Sequence, residues 1–165
     1  MWHHLCQTLD CVRTVLSRLV RSHRYRQEDH ADEPGADPVE PRVPGILVVD
    51  DEPAIRTLLQ AALPRYGFQV FVAGSGLEAV TAYREHRTQI VAVLLDVQLP
   101  GLDGPQTLCI LRAIDPQVRC CFMTGDPGDY TEEELLDMGA VRVFPKPFIL
   151  LEMAQALKQL LDAAD

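Results

Sequence analysis

No apolar run in the 165 residues reaches 18, so no segment has the length of a bilayer-spanning helix. The N-terminus lacks a basic stretch followed by an apolar core and a small-residue cleavage site, so a secretory signal is not expected. Cys-x-x-Cys pairs are missing among Cys6, Cys11, Cys109, Cys120 and Cys121, and no His or Cys lies at structural-zinc spacing. The odd count reads as reduced thiols, with Cys109, Cys120 and Cys121 expected in the core and the adjacent pair pointing to opposite faces of a strand. His3, His4, His23 and His30 are scattered and suggest no metal site, and there is no internal repeat. These features together predict a cytoplasmic protein.

What is present suffices for one domain with an appendage: 47% hydrophobic residues support a real core. The net charge of −9 is uneven. Residues 1–27 carry five Arg and one Asp, residues 28–45 one Arg and six acids, and the remainder nine basic against seventeen acidic residues. An acidic body argues against direct nucleic-acid binding. Within 1–27, Leu5, Leu9, Val12, Leu16, Leu19 and Val20 fall on one arc of a helix, with Arg13, Arg18, Arg21 and Arg24 outside it. This segment is expected to be an amphipathic basic helix. Docking on a partner helix, self-association and contact with an anionic membrane surface all stay open for it. So do packing against its own domain and an upstream stretch that the cell does not translate. Residues 28–45, with Pro34, Pro38, Pro41, Pro44 and six acids, read as an extended disordered linker to a domain at 46–165.

From residue 46 onward β and α patterns alternate, which predicts five parallel strands with helices on both faces. Strands are expected near 46–50, 69–73, 91–96, 119–124 and 141–145, and helices near 53–66, 76–86, 105–113, 131–138 and 149–162. Pro53 and Pro105 suit first-turn positions, and Pro64 should end or kink the first helix before Gly67. Thr131-x-x-Glu134 matches a capping box, and Gly139 is placed to stop that helix. His86 falls at the end of the second helix. Leu150, Met153, Leu157, Leu160 and Leu161 form a core stripe on the last helix.

The chemistry lies where these strands end. Asp50 and Asp51 close the apolar run from Ile46, and Asp96 closes the run from Val91. Runs this short and this apolar fit strands buried on both faces of a parallel sheet, whose ligands gather beyond the carboxyl ends. Three carboxylates at one edge repel each other and call for a shared proton or a divalent cation. An oxygen-only set suits Mg²⁺. Thr124 and Lys146 each end another apolar run, adding a hydroxyl and an ammonium at the same edge. That combination suits phosphoryl transfer, where positioning and charge neutralisation dominate.

Four motifs in order carry a resemblance: Val48-Val49-Asp50-Asp51-Glu52, Leu94-Leu95-Asp96 through Gly101-Leu102-Asp103-Gly104, Met123-Thr124-Gly125, and Pro145-Lys146-Pro147-Phe148. From about Ile46 to Asp162 the chain resembles the receiver domain of bacterial two-component response regulators. The resemblance implies a flavodoxin-like, doubly wound sheet of order 2-1-3-4-5. It implies that Asp96 is the phosphoacceptor, taking a phosphoryl group from a histidine kinase or histidine phosphotransfer protein. Mg²⁺ would be bound by Asp51, Asp96 and the backbone carbonyl of Gln98, with Asp50 acting largely through water, and Thr124 and Lys146 would hold phosphoryl oxygens. Signalling would run through protein contacts with a downstream target, without enzymatic turnover beyond self-phosphorylation and autodephosphorylation; with the last expected helix reaching 162 of 165 residues, no output domain is expected.

The chain departs from the pattern at Val143, where the family usually has an aromatic switch residue; alternation puts the neighbouring Phe144 on the opposite face. Gln98 and Asp126 occupy variable positions that in the family flank the path of an attacking water. Two rivals follow. A degenerate receiver would serve as a scaffold independent of phosphorylation. An aspartate-nucleophile phosphatase would need a second acid two residues after Asp96, where Gln98 stands.

Overall fold

The computed structural model describes residues 43–125 and 128–162. The expected basic helix at 1–27, all but the last three residues of the expected linker, and Asp126 lie outside the described residues. Five strands, β1 (Gly45–Val49), β2 (Gln69–Ala73), β3 (Ile90–Asp96), β4 (Cys120–Thr124) and β5 (Arg142–Pro145), pair in parallel in the order β2-β1-β3-β4-β5. The expected fold class holds. Helices α1 (Pro53–Ala62), α2 (Gly76–His86), α3 (Gly104–Ile114), α4 (Glu132–Asp137) and α5 (Leu150–Asp162) follow the strands in turn.

The central strands are uniform apolar runs because both faces are covered: every residue of β1 and β4 is buried, as are six of the seven in β3. On one face Ile46, Val48, Leu94 and Met123 cluster with Leu59 of α1 and with Met153 and Leu157 of α5. Alternation sends Leu47, Val49, Val93 and Leu95 to the other face, where α2 and α3 pack. Cys121 joins the first cluster while Cys120, also buried, does not, as expected for neighbours on opposite faces. Phe144 joins the same cluster and Val143 stays half-buried.

Local chemistry sets the helix ends. Pro53 opens α1, where its missing N–H costs nothing. Rather than running to 66, the α-helix stops at Ala62 and tightens into a 3-10 turn, Leu63–Tyr66, that carries Pro64 and ends on Gly67 at φ 88°. The Thr131–Glu134 capping box forms in full, and Gly139 terminates the following turn at φ 94°. A second expectation fails. Cys109 is half-buried, because the buried face of α3 is built by Thr107, Leu108, Ile110 and Leu111, and Cys109 sits on its flank.

Candidate functional site

Register alone brings the acids together. Val49 pairs with Leu95, so Asp50, the residue that follows β1, comes level with Asp96 at the end of β3. On the other side Asp96 pairs with Met123 and Thr124 with Pro145, which places Thr124 and Lys146 on the same edge. One carboxylate oxygen each from Asp50, Asp51 and Asp96 lie within 4.8 Å of one another. Asp50 is completely buried, Asp96 nearly so, and Asp51 is exposed.

Lys146 bridges two of the three, its Nζ donating to Asp50 Oδ2 at 2.7 Å and to Asp96 Oδ2 at 2.8 Å. The second oxygen of each of these acids accepts from the turn that follows it: Glu52 N–H to Asp50 Oδ1 at 2.9 Å, and Gln98 N–H to Asp96 Oδ1 at 3.4 Å. Both acids therefore have two oxygens engaged by protein, Asp96 Oδ1 the more loosely. Burial pushes the Asp96 carboxyl above its ordinary range; Lys146 pulls it back, the Asp50 charge adds to the rise, and the net direction is upward. Burial alone would lower the Lys146 ammonium, but its hydrogen bonds to Asp50 and Asp96 and their charges outweigh that and hold it above an ordinary lysine. Lys146 is thus charged at neutral pH.

Thr124 completes the set with a buried hydroxyl, Oγ1, that has no hydrogen-bond partner. An unpaired buried hydroxyl costs about 1–3 kcal/mol and is retained where a ligand supplies the partner. Three converging carboxylates, two of them shared with one ammonium, and this free hydroxyl fit a hard divalent cation beside an anionic group. Gln98, whose backbone carbonyl is the third expected protein ligand, lies two residues after Asp96 and has an exposed side chain.

The loop after β3 is anchored by details that the motif reading did not resolve. Asp103 caps α3, its Oδ1 accepting from Gln106 N–H at 2.8 Å while Gln106 Oε1 accepts from Asp103 N–H at 3.2 Å. The Asp103-x-x-Gln106 spacing was the available signal. Gly104 lets α3 start against the β3 end, since a Cβ there would run into the Asp96 carbonyl. Tyr130, from the loop after β4, donates to Asp103 Oδ2 at 3.2 Å. Burial and the adjacent Asp103 push the Tyr130 phenol up to about 12. Asp51, Gln98, Asp129 and Tyr130 line an open cavity of about 590 Å³ beside the acids. Arg56 reaches back from α1 to the acid turn: its Nη1 donates to the carbonyls of Asp50 at 2.6 Å and Asp51 at 3.0 Å. Neither Tyr130 nor Arg56 left a sequence signal, because both act across loops or on backbone atoms.

A doubly wound parallel sheet with acids, an ammonium and an unpaired hydroxyl at its carboxyl edge is the arrangement of open α/β proteins, whose ligands collect at the strand-order reversal. More narrowly, the response regulator receiver domain model matches residues 46–158, and the chain belongs to that family. It is 36% identical over 116 residues to sporulation initiation phosphotransferase F of Bacillus subtilis, covering 70% of this chain and 92% of that protein. With the transcriptional regulatory protein PrrA of Mycobacterium tuberculosis it shares 35% identity over 118 residues, 72% of this chain and only 50% of the relative, so it spans about half that length. A chain of the CheX–CheY–BeF3–Mg²⁺ complex from Borrelia burgdorferi superposes with a TM-score of 0.66 at 25% identity, over 72% of this chain and 89% of that one. Receiver domains are signalling phosphoacceptors of two-component phosphorelays, work with histidine kinases or phosphotransfer proteins, and bind Mg²⁺ at an Asp cluster. No described helix is long and apolar enough to cross a membrane.

Proposed function

We propose that Asp96 is the phosphoacceptor of this chain. The observation that carries the reading is the direct contact of Lys146 with Asp96 and Asp50 inside a group of three carboxylates. An Asp96 carboxylate oxygen attacks the phosphorus of a phosphohistidine on a kinase or phosphotransfer protein. The N–P bond breaks, its electron pair returns to the imidazole, and an acyl phosphate forms on Asp96. Lys146 is already seated on Asp96 Oδ2 and turns its charge to the incoming phosphoryl oxygens, while the Thr124 hydroxyl finds in one of them the acceptor it lacks.

Mg²⁺ would be held by Asp51, Asp96 and the Gln98 carbonyl, and when bound it neutralises the crowded negative charge of acids and phosphoryl group. Asp50 is completely buried and has both oxygens held at 2.9 and 2.7 Å, whereas Asp96 Oδ1 is held only at 3.4 Å, so Asp50 fits an indirect role through water. With half-buried Val143 where an aromatic switch is usual, signalling to a downstream protein would rest on movement of Thr124 and the loops beside it rather than on a ring at that position.

Intact-protein mass spectrometry after incubation with acetyl phosphate tests the reading. A phosphoryl adduct that requires Mg²⁺, is lost in EDTA and is absent from Asp96→Asn is expected. An adduct of equal yield in Asp96→Asn would contradict it.

A further inference from the structure

The Arg56 side chain joins α1 to the back of the acid turn and lies beside the turn after β2. From α1 it binds the two consecutive carbonyls of Asp50 and Asp51. It also borders the turn after β2, where a Cβ on Gly74 would stand 3.3 Å from Arg56 Nη1 and 3.4 Å from Glu78 Oε2. Glu78 in turn accepts from the Gly74 N–H at 2.8 Å. The turn carrying two adjacent acids is thus gripped through its backbone.

We propose that Arg56 is a positioning residue for the Mg²⁺ site; this rests on the reading of Asp51 and Asp96 as metal ligands. Three carboxylates within 4.8 Å repel each other, and rotation of the Asp50–Asp51 or Asp51–Glu52 peptide is an easy way to swing Asp51 away. Either rotation would pull a carbonyl off the guanidinium. Arg56 therefore holds the exposed ligand beside the buried one before the cation arrives, the work that outer partners do in other metal sites.

Charge makes this separable from a simple electrostatic role. A guanidinium near a cation site repels the cation, so if charge were all that Arg56 contributed, neutralising it would tighten Mg²⁺ binding. Positioning predicts the opposite sign.

The test is Mg²⁺ titration by calorimetry on the full chain, with Arg56→Gln, Arg56→Lys and Arg65→Gln, the last removing an equal charge at an exposed position of the 3-10 turn. Arg56→Gln is expected to raise the Mg²⁺ Kd roughly tenfold or more. Arg56→Lys, which keeps the charge on a shorter stem, should fall between it and wild type, and Arg65→Gln should leave the Kd unchanged or slightly lower. Hydrogen exchange in EDTA supplies a second readout, with the Asp51 and Glu52 amides exchanging faster in Arg56→Gln while β1 and β3 stay protected. Equal or tighter Mg²⁺ binding by Arg56→Gln, with unaltered exchange in the turn, would overturn the proposal. Failure of the wild type itself to bind Mg²⁺ would overturn the metal reading beneath it.

Discussion

Replacing Lys146 with Met tests what holds the acid cluster together when Mg²⁺ is withheld. The ammonium sits 2.7 and 2.8 Å from two carboxylates whose side chains are 0% and 10% exposed, so its removal strands two buried charges side by side. Losing one partner of a buried pair costs about 3–5 kcal/mol. Here relief is available, because one acid can take up a proton. Doing so at pH 7 against an ordinary Asp pKa near 3.9 costs about 4 kcal/mol, which caps the loss. The Lys146 side chain is itself 18% exposed, and screening brings the expectation to about 2–3 kcal/mol. For a body of this size that is a fall of about 10 °C in Tm in EDTA. Mg²⁺ should stabilise the variant more than the wild type, since the cation meets the acids with no ammonium competing for them. Calorimetric melts of Lys146→Met and wild type, in EDTA and in Mg²⁺, check both points. Equal midpoints in EDTA, together with equal Mg²⁺ gains, would refute the reasoning.

Asp103→Ala should lose about 1–2 kcal/mol in urea unfolding, because it deletes the α3 cap. Asp103→Ser, which can cap but offers Tyr130 no carboxylate, should retain most of that, and equal losses would contradict the capping assignment. Stability should also fall above pH 10. Burial and the hydrogen bond to Asp115 raise the Tyr83 phenol well above its ordinary value, so its contribution is whole below the unfolded pKa near 10 and is lost as pH rises toward the folded one. Urea midpoints of wild type and Tyr83→Phe between pH 8 and 11 should converge, and parallel curves would count against it. Iodoacetamide on the native protein should modify Cys109 well before Cys120 or Cys121, whose thiols burial pushes up, Cys121 to about 12. Early labelling at Cys121, read by peptide mapping, would contradict its burial.

Much of this architecture is legible without coordinates because buried parallel strands have a one-dimensional signature. Ile46–Val49 and Val91–Leu95 are apolar without alternation, and the first polar residue after each run marks the edge where chemistry collects. The Thr131 box and Gly139 were equally readable, being local patterns with a local cause. Other features depend on distance in space. Arg56 grips carbonyls, which carry no side-chain signature, and Tyr130 meets Asp103 only because two loops adjoin. The change from α to 3-10 geometry at Leu63 arises because Pro64 cannot donate to the helical ladder, while Leu63 still has a core site to fill. Cys109 was misplaced because apolar character alone does not say which side of α3 faces inward.

The central claim is that Asp96 carries the phosphoryl group, and locating the adduct tests it most directly. After acetyl phosphate and Mg²⁺, borohydride reduction converts an acyl phosphate on aspartate to homoserine, which tandem mass spectrometry of the digest can place. The account predicts homoserine at position 96 and at neither 50 nor 51. Homoserine at 50 or 51, or a phosphorylated protein with an unreduced Asp96, would contradict it.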